Sequence, residues 1–132
     1  MLAASLGDVL PEDASRACLI GRAWCPGPLA GPRLVVVRND ALVDISSTAA
    51  TMSALLALPN PLGAVQRASG EPLGALADWL AETCRHGASP SHRHLMAPND
   101  LQVVKAAGVT FVTSMIERVI EEMTRGDARG AD

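Results

Sequence analysis

The stretch RLVVVRNDALVDIS, residues 33–46, decides how the chain is read. Two runs rich in β-branched residues flank Asn39 and Asp40, residue types that tolerate the positive φ of a two-residue turn. The stretch predicts a β-hairpin. Upstream, ACLIGRAWC at 17–25 reads as a further strand closed by the loop PGPLAGP, and residues 1–15 read as a flexible lead-in.

Downstream the period changes at Thr51. TMSALLAL, residues 51–58, predicts a short helix with Thr51 as its cap, and Asn60 followed by Pro61 marks a second helix start. Pro72 opens a third helical segment, in which Leu73, Leu76, Ala77, Leu80 and Cys84 recur at helical spacing until Gly87 ends it. HGASPSHRH, residues 86–94, reads as a polar linker. After it the chain turns extended and apolar, and 101–109 reads as a buried strand. A helix from Ser114 to about Arg125 follows, with Met115, Ile116, Val119, Ile120 and Met123 as its apolar stripe. Ser114 and Glu117 match the S-x-x-E capping box, which makes Ser114 the expected N-cap.

The element order predicts an α+β fold. A small amino-terminal sheet with a hairpin and short helices spans 16–99, and a strand–helix unit spans 100–132. The length of 132 residues suits one domain and strains to hold two, and 48% hydrophobic residues call for a packed core. Only Trp24, Trp79 and Phe111 are aromatic, so that core must be aliphatic.

Charge and cysteine usage narrow the function classes. The net charge of −3, with both signs mixed along the chain, argues against a nucleic-acid footprint, as does the lack of aromatic stacking platforms. No apolar run reaches the ~18 residues of a membrane span. No basic residue precedes Arg16, unlike a standard secretory signal. Cys18, Cys25 and Cys84 are odd in number and lack metal-type spacing, which suggests reduced thiols and a cytoplasmic setting.

The remaining constellations have plain alternatives. His92 and His94 form an H-x-H pair that could ligate a metal, but a third ligand is missing and the neighbours are linker residues. His86 suits the carbonyl end of a helix. Glu117, Glu121 and Glu122 could hold a cation, although Arg118 and Arg125 close by make a solvated charged face the simpler reading. No phosphate-binding glycine loop and no G-x-S-x-G elbow is present. The residues alone therefore display no complete active site.

The segment DLQVVKAAGVTFVTSMIERVIEE, residues 100–122, resembles the start of the catalytic domain in the fumarylacetoacetate hydrolase family. It is most similar to the branch that includes sugar-acid dehydratases such as 2-keto-3-deoxyarabonate dehydratase. That branch carries a strand ending in A-G-V-T-[YF], then Ser after two residues, then an Arg-containing helix. Here these are Ala107, Gly108, Val109, Thr110, Phe111, Ser114 and Arg118. The strand LIGRAW, the hairpin and the TMSALL helix also follow the order of the family's small amino-terminal domain.

The resemblance implies an Mg²⁺-dependent hydrolase, dehydratase or other lyase acting on a 2-keto acid or acylpyruvate-like substrate, and allows a homodimer. Thr110 and Ser114 would be the catalytic hydroxyls, with Gly108, Phe111 and Arg118 on the substrate. The hydrolase branch reads G-x-N-Y-x-x-H at this junction, and its histidine is the general base. Thr110, Phe111 and Ser114 stand at those places, which favours dehydratase chemistry. The family's metal ligands, an E-x-E pair and a further acid, lie well beyond the junction. The expectation is an amino-terminal fragment with no cofactor of its own and no turnover alone. The alternative is a stand-alone interaction or regulatory module docking through helix 114–125.

Overall fold

The hairpin forms where the sequence places it. β2 (Gly31–Arg38) and β3 (Ala41–Asp44) pair antiparallel with Arg38 opposite Ala41, and Asn39 and Asp40 between them take φ 49° and 60°. Both turn residues lie in the left-handed region, the requirement of the tight turn whose twist matches the strands. The computed structural model describes residues 5–103, 105 and 111–124. It divides into two compact units, Met1–Gln102 and Val103–Asp132.

In the first unit the hairpin is the centre of a five-stranded antiparallel sheet in the order β4-β3-β2-β1-β5. β1 (Ile20–Cys25) flanks β2, and β5 (His94–Met96) adds a short outer strand to β1. β4 (Glu71–Ala75) closes the other edge against β3. The α+β class is thus observed.

The run Leu34–Val37 contains no polar residue because β2 is covered on both faces. Side chains alternate across a strand, so Leu34 and Val36 point to one side and Val35 to the other. Leu34 and Val36 pack with Ile45, Met52, Leu55, Val65 and Ala68, beneath α2 (Met52–Leu56) and α3 (Pro61–Arg67). Val35 packs with Ala23, Leu42, Leu76 and Trp79, beneath α4 (Leu76–His86). The lead-in carries one helical turn, α1 (Leu6–Val9), and Leu6 and Leu10 rest against this second cluster.

The short helices begin at the expected caps. Thr51 Oγ1 accepts from Ala54 N at 3.0 Å, and Asn60 Oδ1 accepts from Gly63 N at 2.8 Å with Pro61 in the first turn. α4 ends at Gly87, whose φ of 60° suits glycine and whose N–H donates to Thr83 O at 2.8 Å.

Four expectations are corrected. The segment opened by Pro72 begins as a strand: Glu71–Ala75 is β4, and the helix starts only at Leu76. An edge strand tolerates proline, and the register slips between Leu42 and Val43, with Gly74 at φ 108° opposite Leu42. The linker stops before its last residue, because His94 is buried, opens β5 and pairs with Trp24. The strand expected over 101–109 does not form at 101–103 or 105, where Leu101 and Val103 are 75% and 84% exposed. Residues 104 and 106–109 lie outside the described residues.

In the second unit the helix α5 spans Val112–Thr124. An i→i+4 bond runs from Met115 N to Phe111 O at 3.0 Å, so the helix opens before Ser114. Ser114 is an interior helix position and not the N-cap.

Candidate functional site

Of the five residues singled out by resemblance, Gly108 and Thr110 lie outside the described residues. Phe111 immediately precedes α5 and is 76% exposed, and Arg118 is exposed on the helix. Phe111, Ser114 and Arg118 follow one another at spacings of three and four, which aligns the three positions along one side of the helical path. The apolar positions Val112, Met115, Ile116 and Val119 form a separate stripe and are about half exposed or more. The order of residues around α5 thus keeps Ser114 and Arg118 apart from that stripe.

The first unit contains a polar cluster that the sequence did not disclose. Asp100 reaches back to the first turn of α2, where its carboxylate accepts from Met52 N at 2.6 Å, Ser53 N at 3.1 Å and Ser53 Oγ at 2.5 Å. Arg22, on β1, donates from one guanidinium nitrogen to Asn99 O at 2.8 Å and Ala97 O at 3.3 Å, and its Nε stands 3.9 Å from Asp100 Oδ2. Both side chains are largely covered, 16% exposed for Arg22 and 7% for Asp100.

The Ser53 hydroxyl is the main cause that holds the Asp100 carboxyl down to about 2 from its ordinary 3.8; burial opposes it, and the N–H groups of Leu101, Met52 and Ser53 add to the lowering. A carboxyl depressed on folding stabilises the folded state, fully above the unfolded value and progressively less as pH falls through the folded one. Native stability should therefore lose a component between about pH 4 and pH 2. Asp100→Asn should lack that component, so the two stability-against-pH curves should converge at the acid end. Urea unfolding at a series of pH values measures this; curves that stay parallel down to pH 2 would remove Asp100 from the explanation.

The histidines do not converge. His94 packs against Trp24, with ring centroids 6.2 Å apart, and its Nδ1 lies 3.0 Å from His92 O. His92 instead stacks on His86 at 3.9 Å between centroids, and Glu82 lies 3.8 Å from His86 Nε2. Neighbouring positions in sequence thus take different ring partners. Among the described residues, no group of three or more His, Cys, Asp or Glu comes together as a metal site. Burial pushes the Cys25 thiol up, which disfavours the thiolate a nucleophile needs. Ser53 Oγ is committed to Asp100 and has no described histidine bonded to it as base.

Two clefts accompany these features. One, of about 280 Å³, is walled by Leu10, Leu19, Ile20, Val37, Leu76 and Met96, with Arg22 at its lining. The other, of about 700 Å³, lies between the segment after α1 and the hairpin turn, and presents Glu12, Ser15, Arg38 and Asp40. No helix among the described residues is long and apolar enough to cross a membrane. Against protein-family models, curated proteins and solved structures, the chain finds no match.

Proposed function

We propose that the chain is the amino-terminal portion of an enzyme of the fumarylacetoacetate hydrolase family, in its sugar-acid dehydratase-like branch. The observation that carries this reading is the pattern Ala107-Gly108-Val109-Thr110-Phe111, followed by Ser114 and Arg118. The order that precedes it, a strand, a hairpin turning at Asn39 and Asp40, and a short helix capped by Thr51, supports the same reading. In this role Gly108 lets the backbone approach a 2-keto acid or acylpyruvate-like substrate. Thr110 and Ser114 offer hydroxyls, and Arg118 offers a cation to the substrate carboxylate.

The Mg²⁺ that supplies electrophilic assistance in the family would be held by acids beyond this junction, with the substrate's α-keto oxygens as its further ligands. The setting is cytoplasmic, in keeping with the free thiols of Cys18, Cys25 and Cys84. Calorimetric titration of the chain with Mg²⁺ and pyruvate-like acids is expected to give no saturable heat. Tight binding would overturn the assignment of the metal site to other residues. A fusion to the metal-bearing portion of a dehydratase from that branch tests the family reading itself. A folded, Mg²⁺-loaded fusion that never dehydrates a 2-keto-3-deoxy acid would refute it.

A second reading rests on α5. Val112, Met115, Ile116 and Val119 are 66%, 56%, 52% and 48% exposed, a stripe of the kind that docks a partner protein or a second copy. Sedimentation of the chain and of its Met115→Asp variant at several concentrations tests the docking reading. A concentration-dependent dimer that Met115→Asp abolishes supports docking through α5, and a monomer throughout removes self-docking.

A further inference from the structure

We infer that Asp100 and Arg22 form an anchor that fixes the point where the chain leaves the sheet unit. Its release would free residues 97–103 while the five-stranded sheet stays folded. This inference stands independently of the family reading.

The segment after β5 has little apolar burial to hold it. β5 ends at Met96, Ala97 to Asn99 are exposed, and Leu101 and Val103 are among the most exposed hydrophobic residues described. Yet the unit boundary falls at Gln102, so residues 97–102 belong with the sheet. What holds it is polar and comes from two directions. Arg22 grips the carbonyls of Ala97 and Asn99 from β1, a strand paired on both sides. From the opposite end, the Asp100 carboxylate takes the free N–H groups at the start of α2 together with the Ser53 hydroxyl.

Both grips are long-range, spanning 47 and 48 residues at Asp100 and 75 and 77 at Arg22, so they are made only once the sheet has formed. The two apolar clusters do not include Asp100, Arg22 or Ser53. An anchor outside the core can open in a local step that leaves the core intact.

The geometry also fixes which changes matter. Asp100→Asn removes the charge and places an amide donor among donors, leaving at least one of them unpaired. Ser53→Ala removes one donor and spares the two backbone bonds. Arg22→Lys keeps a positive charge but shortens the side chain and removes the Nε that faces Asp100, so its one nitrogen cannot serve Asp100 and the Ala97 and Asn99 carbonyls together.

The test is nitrogen-15 relaxation and amide exchange on the full 132-residue chain. In Asp100→Asn, order parameters of 97–103 should fall from the rigid range toward that of a flexible segment, about 0.85 to below about 0.6. Exchange of the Met52 and Ser53 amides should quicken by at least about 10-fold, and by a larger factor than that of Val35 and Val36 in β2, which follows only the change in global stability. Arg22→Lys should loosen 97–99 in the same way, and Ser53→Ala should give a smaller effect. If 97–103 keep wild-type order in both Asp100→Asn and Arg22→Lys, the anchor does not exist. If those variants accelerate Met52, Ser53, Val35 and Val36 all by the same factor, the cluster opens only with the global fold and the inference also fails.

Discussion

Gly70→Ala is expected to destabilise the sheet unit by about 3 kcal/mol or more, because overpacking at a site with no room forces the backbone itself to move. A Cβ at Gly70 would stand 1.6 Å from the carbonyl oxygen of Asp44 and 2.7 Å from its carbonyl carbon. Those atoms cannot rotate away. Asp44 is paired to Glu71 and to Val35, and its carboxylate accepts from Ser46 N at 2.8 Å. Relief would therefore separate β3 from β4 or pull β3 off β2. The demand is for space and not for a left-handed φ, so any side chain should fail in the same way. Gly31→Ala is the control, since a Cβ there meets nothing within 4 Å, and its effect should stay within about 0.5 kcal/mol. Urea unfolding followed by circular dichroism compares them. A Gly70→Ala protein as stable as Gly31→Ala would mean that the β3–β4 approach is looser than described.

The same region shows where sequence reading stopped short. The hairpin was legible because its signals are local: a positive-φ residue pair between two β-branched runs. The Thr51 and Asn60 caps were legible for the same reason, each acting on an amide three residues away. β4 was not, because Glu71–Ala75 has no strand alternation of its own and owes its state to pairing with β3. Leu73 also fits the helical spacing of Leu76 and Leu80, so local pattern pointed the wrong way until tertiary pairing decided. β5 was missed because it is only three residues long and starts at a histidine, a residue whose burial beside Trp24 depends on a strand about 70 positions earlier. Asp100 is the clearest case. Nothing near it in sequence announces a cap, since the helix it serves begins at Met52. Of the candidate site, the helix around Ser114 and Arg118 was legible from its stripe. Its start was misplaced because Ser114 and Glu117 satisfy a capping pattern inside a helix that Phe111 already opens.

Trp79→Ala should cost about 3–5 kcal/mol, the range for emptying a buried aromatic site. Trp79 is 3% exposed and packs with Val35, Leu42, Ala23 and Leu76, which join α4 to three strands of the sheet. Its indole N–H donates to Leu73 O at 3.1 Å, tying α4 to β4. On the solvent side the guanidinium of Arg93 lies 5.4 Å from the ring centroid. The three contributions can be separated. Trp79→Phe keeps most of the packing and loses the hydrogen bond, for about 1 kcal/mol plus the smaller ring. Arg93→Ala removes only the cation over the ring, for about 0.5–1 kcal/mol. The double change Trp79→Phe with Arg93→Ala should cost less than the sum of the single changes, since Arg93 lies over the ring and Phe presents a weaker face to the cation. Packing should dominate. With so few aromatic residues, no other large ring stands in that cluster to close the cavity by shifting. A Trp79→Ala loss below about 1 kcal/mol would show that α4 does not hold its face of the sheet through this side chain, and that the aliphatic neighbours alone cover Val35.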